Sequence, residues 1–242
     1  MKIEVWSDFV CPFCYIGKRR LEEALGAVPF GKQVEVEFKS FELDPNSPSY
    51  TGQSIHEVLA SKYRMSMEEA KRANEGVGAQ AAMVGLTYHF DEMKPTNTFD
   101  AHRLVKFAKT YGKDAVVTEK LLYAYFTESR HIGNYETLAD IAVKAGLDRE
   151  KTINMLEDST AFKNDVRMDE SIAQQYGITG VPFFILNGKY AISGAQPTET
   201  FINALKKVWE EESATPVLKN LSTENISDTS CMDGSCTVPT KD

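Results

Sequence analysis

Two cysteines separated by two residues, placed directly after a short apolar run, constrain this chain more than any other feature in it. Ile3-Glu4-Val5-Trp6 alternates like a strand, and Cys11-Pro12-Phe13-Cys14 opens a segment with helical spacing. A strand that leads into a dithiol on the first turn of a helix is a redox arrangement. Unpaired N–H groups and aligned peptide dipoles at a helix N-terminus favour negative charge, so a thiolate at Cys11 gains there. Cys11 is the expected attacking sulfur. Pro12 suits the first helical position, where its fixed backbone angle is already helical and its missing N–H costs nothing. Cys14 lies almost one turn further round the same helix, placed to close on Cys11 as the resolving and more buried thiol. The same spacing also forms half of a zinc site, and two cysteines can be plain buried hydrophobes. The strand before the motif and the long helix after it favour redox use.

The chain has 242 residues, enough for one large domain or a domain carrying a big insertion. Its net charge of -8 and lack of any basic run argue against a nucleic-acid binder or an anionic-membrane binder. Asp8 comes too early for the apolar core of a signal peptide, and no later stretch approaches a membrane span. A cytoplasmic protein is expected. In that reducing compartment, cysteines arranged as two close pairs, 11/14 and 231/236, suit catalysis or metal binding better than static stapling.

Apolar spacing predicts that the first helix runs to about Leu25, ended by Gly26 and Pro29. Val34, Val36 and Phe38 then alternate as a second strand, and the strand-helix-strand order requires parallel pairing with a right-handed crossover. From about 54 to 176 the spacing is helical throughout, including a short helix capped by Asp148. Val181 to Leu186 reads as a buried strand, Asn187-Gly188 as a hairpin turn, and Tyr190-Ala191-Ile192 as the antiparallel return. Pro197 begins a last helix, and from about Glu210 polar residues take over as a tail. The expected organisation is an α/β domain built from 1–53 and 177–212, an all-helical insertion over 54–176, and a C-terminal tail over 213–242.

With Cys11-x-x-Cys14 after the first strand, a helical insertion, and Gly180-Val181-Pro182 before a hairpin, the chain resembles the DsbA family of thioredoxin-fold oxidoreductases, most of all its FrnE-like cytoplasmic branch. The resemblance covers about residues 1 to 212. It implies a thioredoxin fold in which Pro182 follows a cis peptide bond beside the dithiol and the backbone of Val181 pairs with substrate; an ordinary trans proline on a strand edge is the plain alternative. It also implies that Pro12 and Phe13 border the substrate, that Asn97 and Thr98 face the active site, and that the loop at Gly194-Ala195-Gln196 returns to it. Asn97 or Thr98 is equally a simple N-cap for the next helix. Phe13 replaces the histidine that DsbA carries between its cysteines, and phenylalanine offers the Cys11 thiolate neither charge nor hydrogen bond. Strong oxidising power is therefore not expected. His102 reads first as a helix-surface histidine, with thiolate tuning or proton shuttling as the alternative. His56, His89 and His131 share no motif with the dithiol.

Cys231 and Cys236 lie in the tail, where Gly234 permits the sharp turn that would bring the sulfurs together. They read as a second redox pair, as a soft-metal site, or as incidental thiols. A flexible link of about 20 residues reaches roughly 25 Å, which allows exchange with the first pair. The expected activity is thiol-disulfide exchange on disulfide-bearing proteins or small thiols, with no metal and no cofactor beyond the dithiol. A glutathione-dependent isomerase or transferase of the same fold, or a non-enzymatic adaptor, are the alternatives. The sequence sets no oligomeric state.

Overall fold

Six alternating residues form the central strand β1 (Lys2–Ser7), and both faces of that strand are covered. The computed structural model describes residues 1–213. β1 pairs in parallel with β2 (Glu35–Ser40), with Ile3 opposite Val36 and Val5 opposite Phe38. On its other edge it pairs antiparallel with β3 (Phe183–Leu186), which turns into β4 (Tyr190–Ser193), giving the order β2-β1-β3-β4. The turn between them places Asn187 and Gly188 at φ 51° and 65°, the left-handed pair that a two-residue hairpin requires. Pro182 has no N–H to give the ladder, so β3 begins at Phe183 rather than at the expected Val181.

Ile3 and Val5 pack with Leu21 and Ala24 of α1 (Pro12–Ala27) and with Phe201 and Leu205 of α9 (Thr198–Ser213). Helix α9 runs slightly past the expected onset of the tail at Glu210. Trp6 points to the opposite face, fully buried with Ala173, Ile178 and Ile185, and its indole N–H donates to the Asp169 carbonyl at 3.0 Å. A polar-looking alternation thus hides a strand buried on both sides.

The insertion supplies α2 (Ile55–Tyr63), α3 (Met67–Ala82), α4 (Phe99–Lys109), α5 (Asp114–Phe126), α6 (Tyr135–Lys144), α7 (Arg149–Glu157) and α8 (Lys163–Gln175). Capping boxes at Ser54/Glu57 and Ser66/Glu69 start α2 and α3, and the Asp148 side chain accepts from Lys151 N–H to start α7. Arg103 of α4 is buried and donates to the carbonyls of Met155 and Ala161 at 2.8 Å, tying off the end of α7. The helical core built on Leu104, Leu121, Leu122, Phe126 and Leu138 is continuous with Phe9, Tyr15 and Ile16, which flank the dithiol. The insertion therefore forms the wall against which the cysteines sit.

Candidate active site

Cys11 is the N-cap of α1, with extended backbone angles, and Pro12 is the first helical residue. The approach is a tight turn in which Cys11 N–H donates to the Asp8 carbonyl at 3.3 Å and Cys14 N–H to the Cys11 carbonyl at 3.0 Å. Both thiols are free and recessed, Cys11 being 5% and Cys14 2% exposed. Cys14 Sγ accepts a hydrogen bond from Asp8 N–H at 3.4 Å. Burial pushes the Cys14 thiol well above the ordinary range and the neighbouring Cys11 adds to this, while nearby Ser7 and the Asp8 N–H oppose it. Phe13 between the cysteines turns outward, 38% exposed.

Opposite the dithiol, the Val181–Pro182 peptide bond is cis and Cys11 Sγ donates to the Val181 carbonyl at 3.4 Å. Gly194, at φ +77°, donates its N–H to the Pro182 carbonyl at 2.8 Å. The structure thus brings Cys11, Cys14, Val181, Pro182 and Gly194 together. Gly17 makes this possible, since a Cβ there would lie 3.0 Å from Pro182 Cγ and 3.2 Å from the Phe184 ring. The Tyr88 hydroxyl donates to the Pro12 carbonyl at 2.8 Å, and burial raises that phenol strongly.

Beside Cys11, Pro12 and Phe13 opens a groove of about 390 Å³, closed by Ile55 and Leu59 of α2, Val77 of α3, and Phe126. Leu43 and Tyr63 stand on its rim and are exposed. Behind this wall His56 is buried, its Nε2 3.0 Å from Asp91 Oδ1 and its Nδ1 3.0 Å from the Asn74 amide nitrogen. Both bonds form when Nε2 carries the proton, so the histidine ties α2 to α3 and to the 90–92 turn.

Other expected residues are placed differently. Asn97 is engaged in its own loop: its Oδ1 accepts from Phe99 N–H at 2.9 Å and its amide donates to the Pro45 carbonyl at 3.2 Å. Thr98 holds the N-cap position of α4, but its buried side chain makes no capping bond. Neither lines the groove beside Cys11. His102, expected on a helix surface, is instead 3% exposed, because α4 is enclosed on nearly all sides by α5, α7, α8 and the Asp8-Phe9 turn. Its ring packs on Phe9 with centroids 4.7 Å apart, and its Nε2 is 3.5 Å from Asp8 Oδ1. His131 meets Thr96 Oγ1 at 3.1 Å. Cys231 and Cys236 lie outside the described residues. Among the described residues no cluster of three His, Cys, Asp or Glu side chains could hold a metal ion, and no helix is long and apolar enough to cross a membrane.

Ser7, Asp8, Gly17 and Tyr88 escape a sequence reading. Gly17 falls one turn after Cys14 on the same helix face, a mark of close approach that apolar periodicity does not register. Asp8 precedes the motif by three residues, and only its fold-back onto Cys14 reveals its place.

A family model described as a DSBA-like thioredoxin domain matches residues 2–206. An uncharacterised Bacillus subtilis protein, YwbO, is 32% identical over 204 residues, spanning 84% of this chain and 94% of that protein. A crystal structure described as a probable DsbA oxidoreductase from Streptomyces coelicolor superposes with a TM-score of 0.84 at 40% identity, covering 99% of this chain and 100% of the other. The cytosolic disulfide reductase DsbM from Pseudomonas aeruginosa, solved with GSH, shares the fold at a TM-score of 0.59 and 14% identity, covering 87% of this chain and 100% of that one.

Proposed function

This chain belongs to the DSBA-like thioredoxin domain family, and from that premise we propose that it is a thiol-disulfide oxidoreductase working through Cys11 and Cys14. The observation that carries this reading is the meeting of Cys11 Sγ with the Val181 carbonyl, 3.4 Å away, at the mouth of the apolar groove. The Cys11 thiolate attacks one sulfur of a substrate disulfide, forming a mixed disulfide and expelling the other sulfur as a thiolate. Cys14, once deprotonated, attacks Cys11 Sγ, releasing the second substrate thiolate and leaving a Cys11–Cys14 disulfide. The substrate gains two electrons and the protein loses two; run backwards, the same steps make disulfides.

In this reading Val181 and Pro182 receive the substrate backbone, with Gly194 supporting Pro182, and Pro12 and Phe13 border the disulfide. Substrates are disulfide-bearing proteins or small thiols in the cytoplasm, and the reaction needs no cofactor. Phe13 lends the reduced state no charge or hydrogen bond, which favours reduction or isomerisation over strong oxidation. Cys231 and Cys236 serve as a second pair that exchanges with the first. The alternative of a glutathione-dependent isomerase gains little support from a groove whose lining is mostly apolar, and two intact cysteines also count against it. Asn97 and Thr98 have no part in the proposal.

Insulin reduction, scrambled-disulfide repair and redox potential measured on wild type, Cys11→Ser and Cys231→Ser/Cys236→Ser test it. Cys11→Ser is expected to abolish turnover, and Cys14→Ser to accumulate the mixed disulfide. Unchanged turnover in Cys11→Ser overturns the oxidoreductase reading in favour of an adaptor. A tail variant matching wild type in potential and turnover removes the exchange role of the second pair.

A further inference from the structure

One phenol of the helical insertion reaches the backbone of the dithiol turn. The Tyr88 hydroxyl donates to the Pro12 carbonyl at 2.8 Å, across 76 residues of sequence. Its ring is stacked on Phe126 with centroids 4.5 Å apart and meets Phe90 edge-on at 5.7 Å. The backbone on either side is clamped to the end of α5. The Thr127 hydroxyl donates to the Thr87 carbonyl at 2.8 Å, His89 N–H to the Phe126 carbonyl at 2.9 Å, and the Ser129 hydroxyl to the His89 carbonyl at 3.3 Å. Rings and backbone together aim this hydroxyl at a single carbonyl.

The effect of that bond depends on the peptide unit it touches. The Pro12 carbonyl shares its unit with the N–H of Phe13. Cys11 is the N-cap of α1, where an acceptor takes the N–H of the second or third helical residue. Pro12, the first helical residue, has no N–H, and Cys14, the third, already donates to the Cys11 carbonyl at 3.0 Å. Phe13 N–H is the donor that remains, with no backbone partner among the described residues. As a thiol, Cys11 gives its own proton to the Val181 carbonyl and makes no capping bond. As a thiolate it can only accept.

We propose that Tyr88 is a positioning residue for the Cys11 thiolate: its bond to the Pro12 carbonyl holds and polarises the Pro12–Phe13 peptide, so that Phe13 N–H binds the sulfur anion more strongly. The inference rests on the oxidoreductase reading above and deepens it, naming a support for the attacking sulfur in a motif whose Phe13 side chain supplies none. A hydrogen bond accepted by a carbonyl draws electron density toward oxygen and leaves the N–H of the same unit a stronger donor, by about 10 to 30% per bond. The phenol keeps its proton for this role, because burial and the neighbouring Tyr15, Cys11 and Cys14 raise it strongly.

Charged and titratable groups face Cys11 and Tyr88 from several elements. α1 brings Cys14, Tyr15 and Arg19, the last two bonded to Glu119 of α5, and Asp8 lies in the turn before the motif. His56 of α2, Lys71 and Glu75 of α3, and the 89–92 segment with His89, Asp91 and Glu92 share the cleft behind Tyr88. The groove beside Cys11 adds Tyr63, and the cleft along Val181 and Pro182 has no charged side chain in its lining. Of all these groups, Tyr88 is the one whose side chain bonds the Pro12–Phe13 peptide.

Alkylation of the reduced full-length protein with iodoacetamide over a range of pH, followed by mass mapping of Cys11, reports the thiolate and needs no substrate disulfide. Tyr88→Phe keeps the ring and its stacking and loses only the hydroxyl. The pH midpoint of Cys11 alkylation is expected to rise by about 0.3 to 0.5 of a unit in this variant, the scale of a charge-assisted bond weakened by that polarisation. At a fixed pH below the midpoint the rate then falls roughly two- to threefold. Ring-fluorinated tyrosines installed at position 88 by stop-codon suppression are stronger donors and should move the midpoint down, in the order of their acidity. They decide the matter if Tyr88→Phe does not fold. A wild-type midpoint in folded Tyr88→Phe overturns the proposal, as do fluorinated tyrosines that leave the midpoint unchanged or raise it, since packing alone would then account for Tyr88. A wild-type protein whose Cys11 alkylates as expected but which turns over no disulfide strikes the oxidoreductase reading instead.

Discussion

A missing methyl group at Gly17 lets α1 lie against Pro182, and that contact sets the spacing between the dithiol and the Val181 carbonyl. A Cβ at 17 already sits 3.0 Å from Pro182 Cγ, so the two further methyls of valine have no room. Gly17→Val is expected to destabilise the protein by about 1 to 3 kcal/mol, the usual cost of overpacking, and to slow formation of the Cys11 adduct. Urea melts check the first half, and mass mapping of Cys11 after a rapid acid quench of the reduced protein mixed with an aromatic disulfide checks the second. The dithiol was legible at this scale because its spacing carries its chemistry. His102 was not, because burial of α4 is written in partners rather than in apolar residues. Arg103 is satisfied by carbonyls of α7 and its surroundings, and Lys106 by Asp169, so a helix rich in polar residues still goes inside.

Helices α2 and α3 form the outer wall of the groove, and α2 contributes His56 as its one buried residue. That makes the His56 bonds to Asp91 and Asn74 the anchor of the wall. His56→Leu removes both and strands the buried Asn74 amide, with an expected loss of about 1 to 3 kcal/mol. Hydrogen exchange should show faster opening confined to α2 and α3, with α5 and β1 unchanged. Ser66→Ala breaks the capping box of α3 and should cost about 1 kcal/mol in the same assay. The existence of these helices was legible from their spacing, and the parallel strand pair and hairpin from alternation and Asn-Gly. Their arrangement was not, since an apolar face does not name the surface that will cover it. The pairing of Asp8 with α4, nearly 100 residues away in sequence, belongs to the same class of information.

The molecule as a whole is fastened across its crossover by Glu119 of α5, which accepts from Tyr15 at 2.6 Å and from Lys18 at 2.5 Å, and also pairs with Arg19, all on α1. Burial alone would raise this carboxyl, but the bonds from Arg19, Lys18 and Tyr15 hold it down at about 2, against 4.5 ordinarily. A carboxylate depressed by folding contributes stability above its unfolded value and loses it as pH falls through its folded one. The urea midpoint should therefore fall as pH drops from about 4.5 toward 2. Glu119→Gln should be less stable at neutral pH and show a shallower decline in that window; equal slopes would mean that Glu119 does not couple the two helices. The recessed sulfurs carry a last consequence, for the lifetime of the protein. Oxidation of cysteine beyond the reversible sulfenic stage depends on thiolate access, and Cys11 is only 5% exposed. Small peroxides meet little sulfur on such a surface, while a partner that lays its own chain along Val181 can open the way. The protein should thus come through an oxidative burst with its dithiol still repairable, and mass spectrometry after peroxide treatment should find little irreversible sulfinic acid at Cys11.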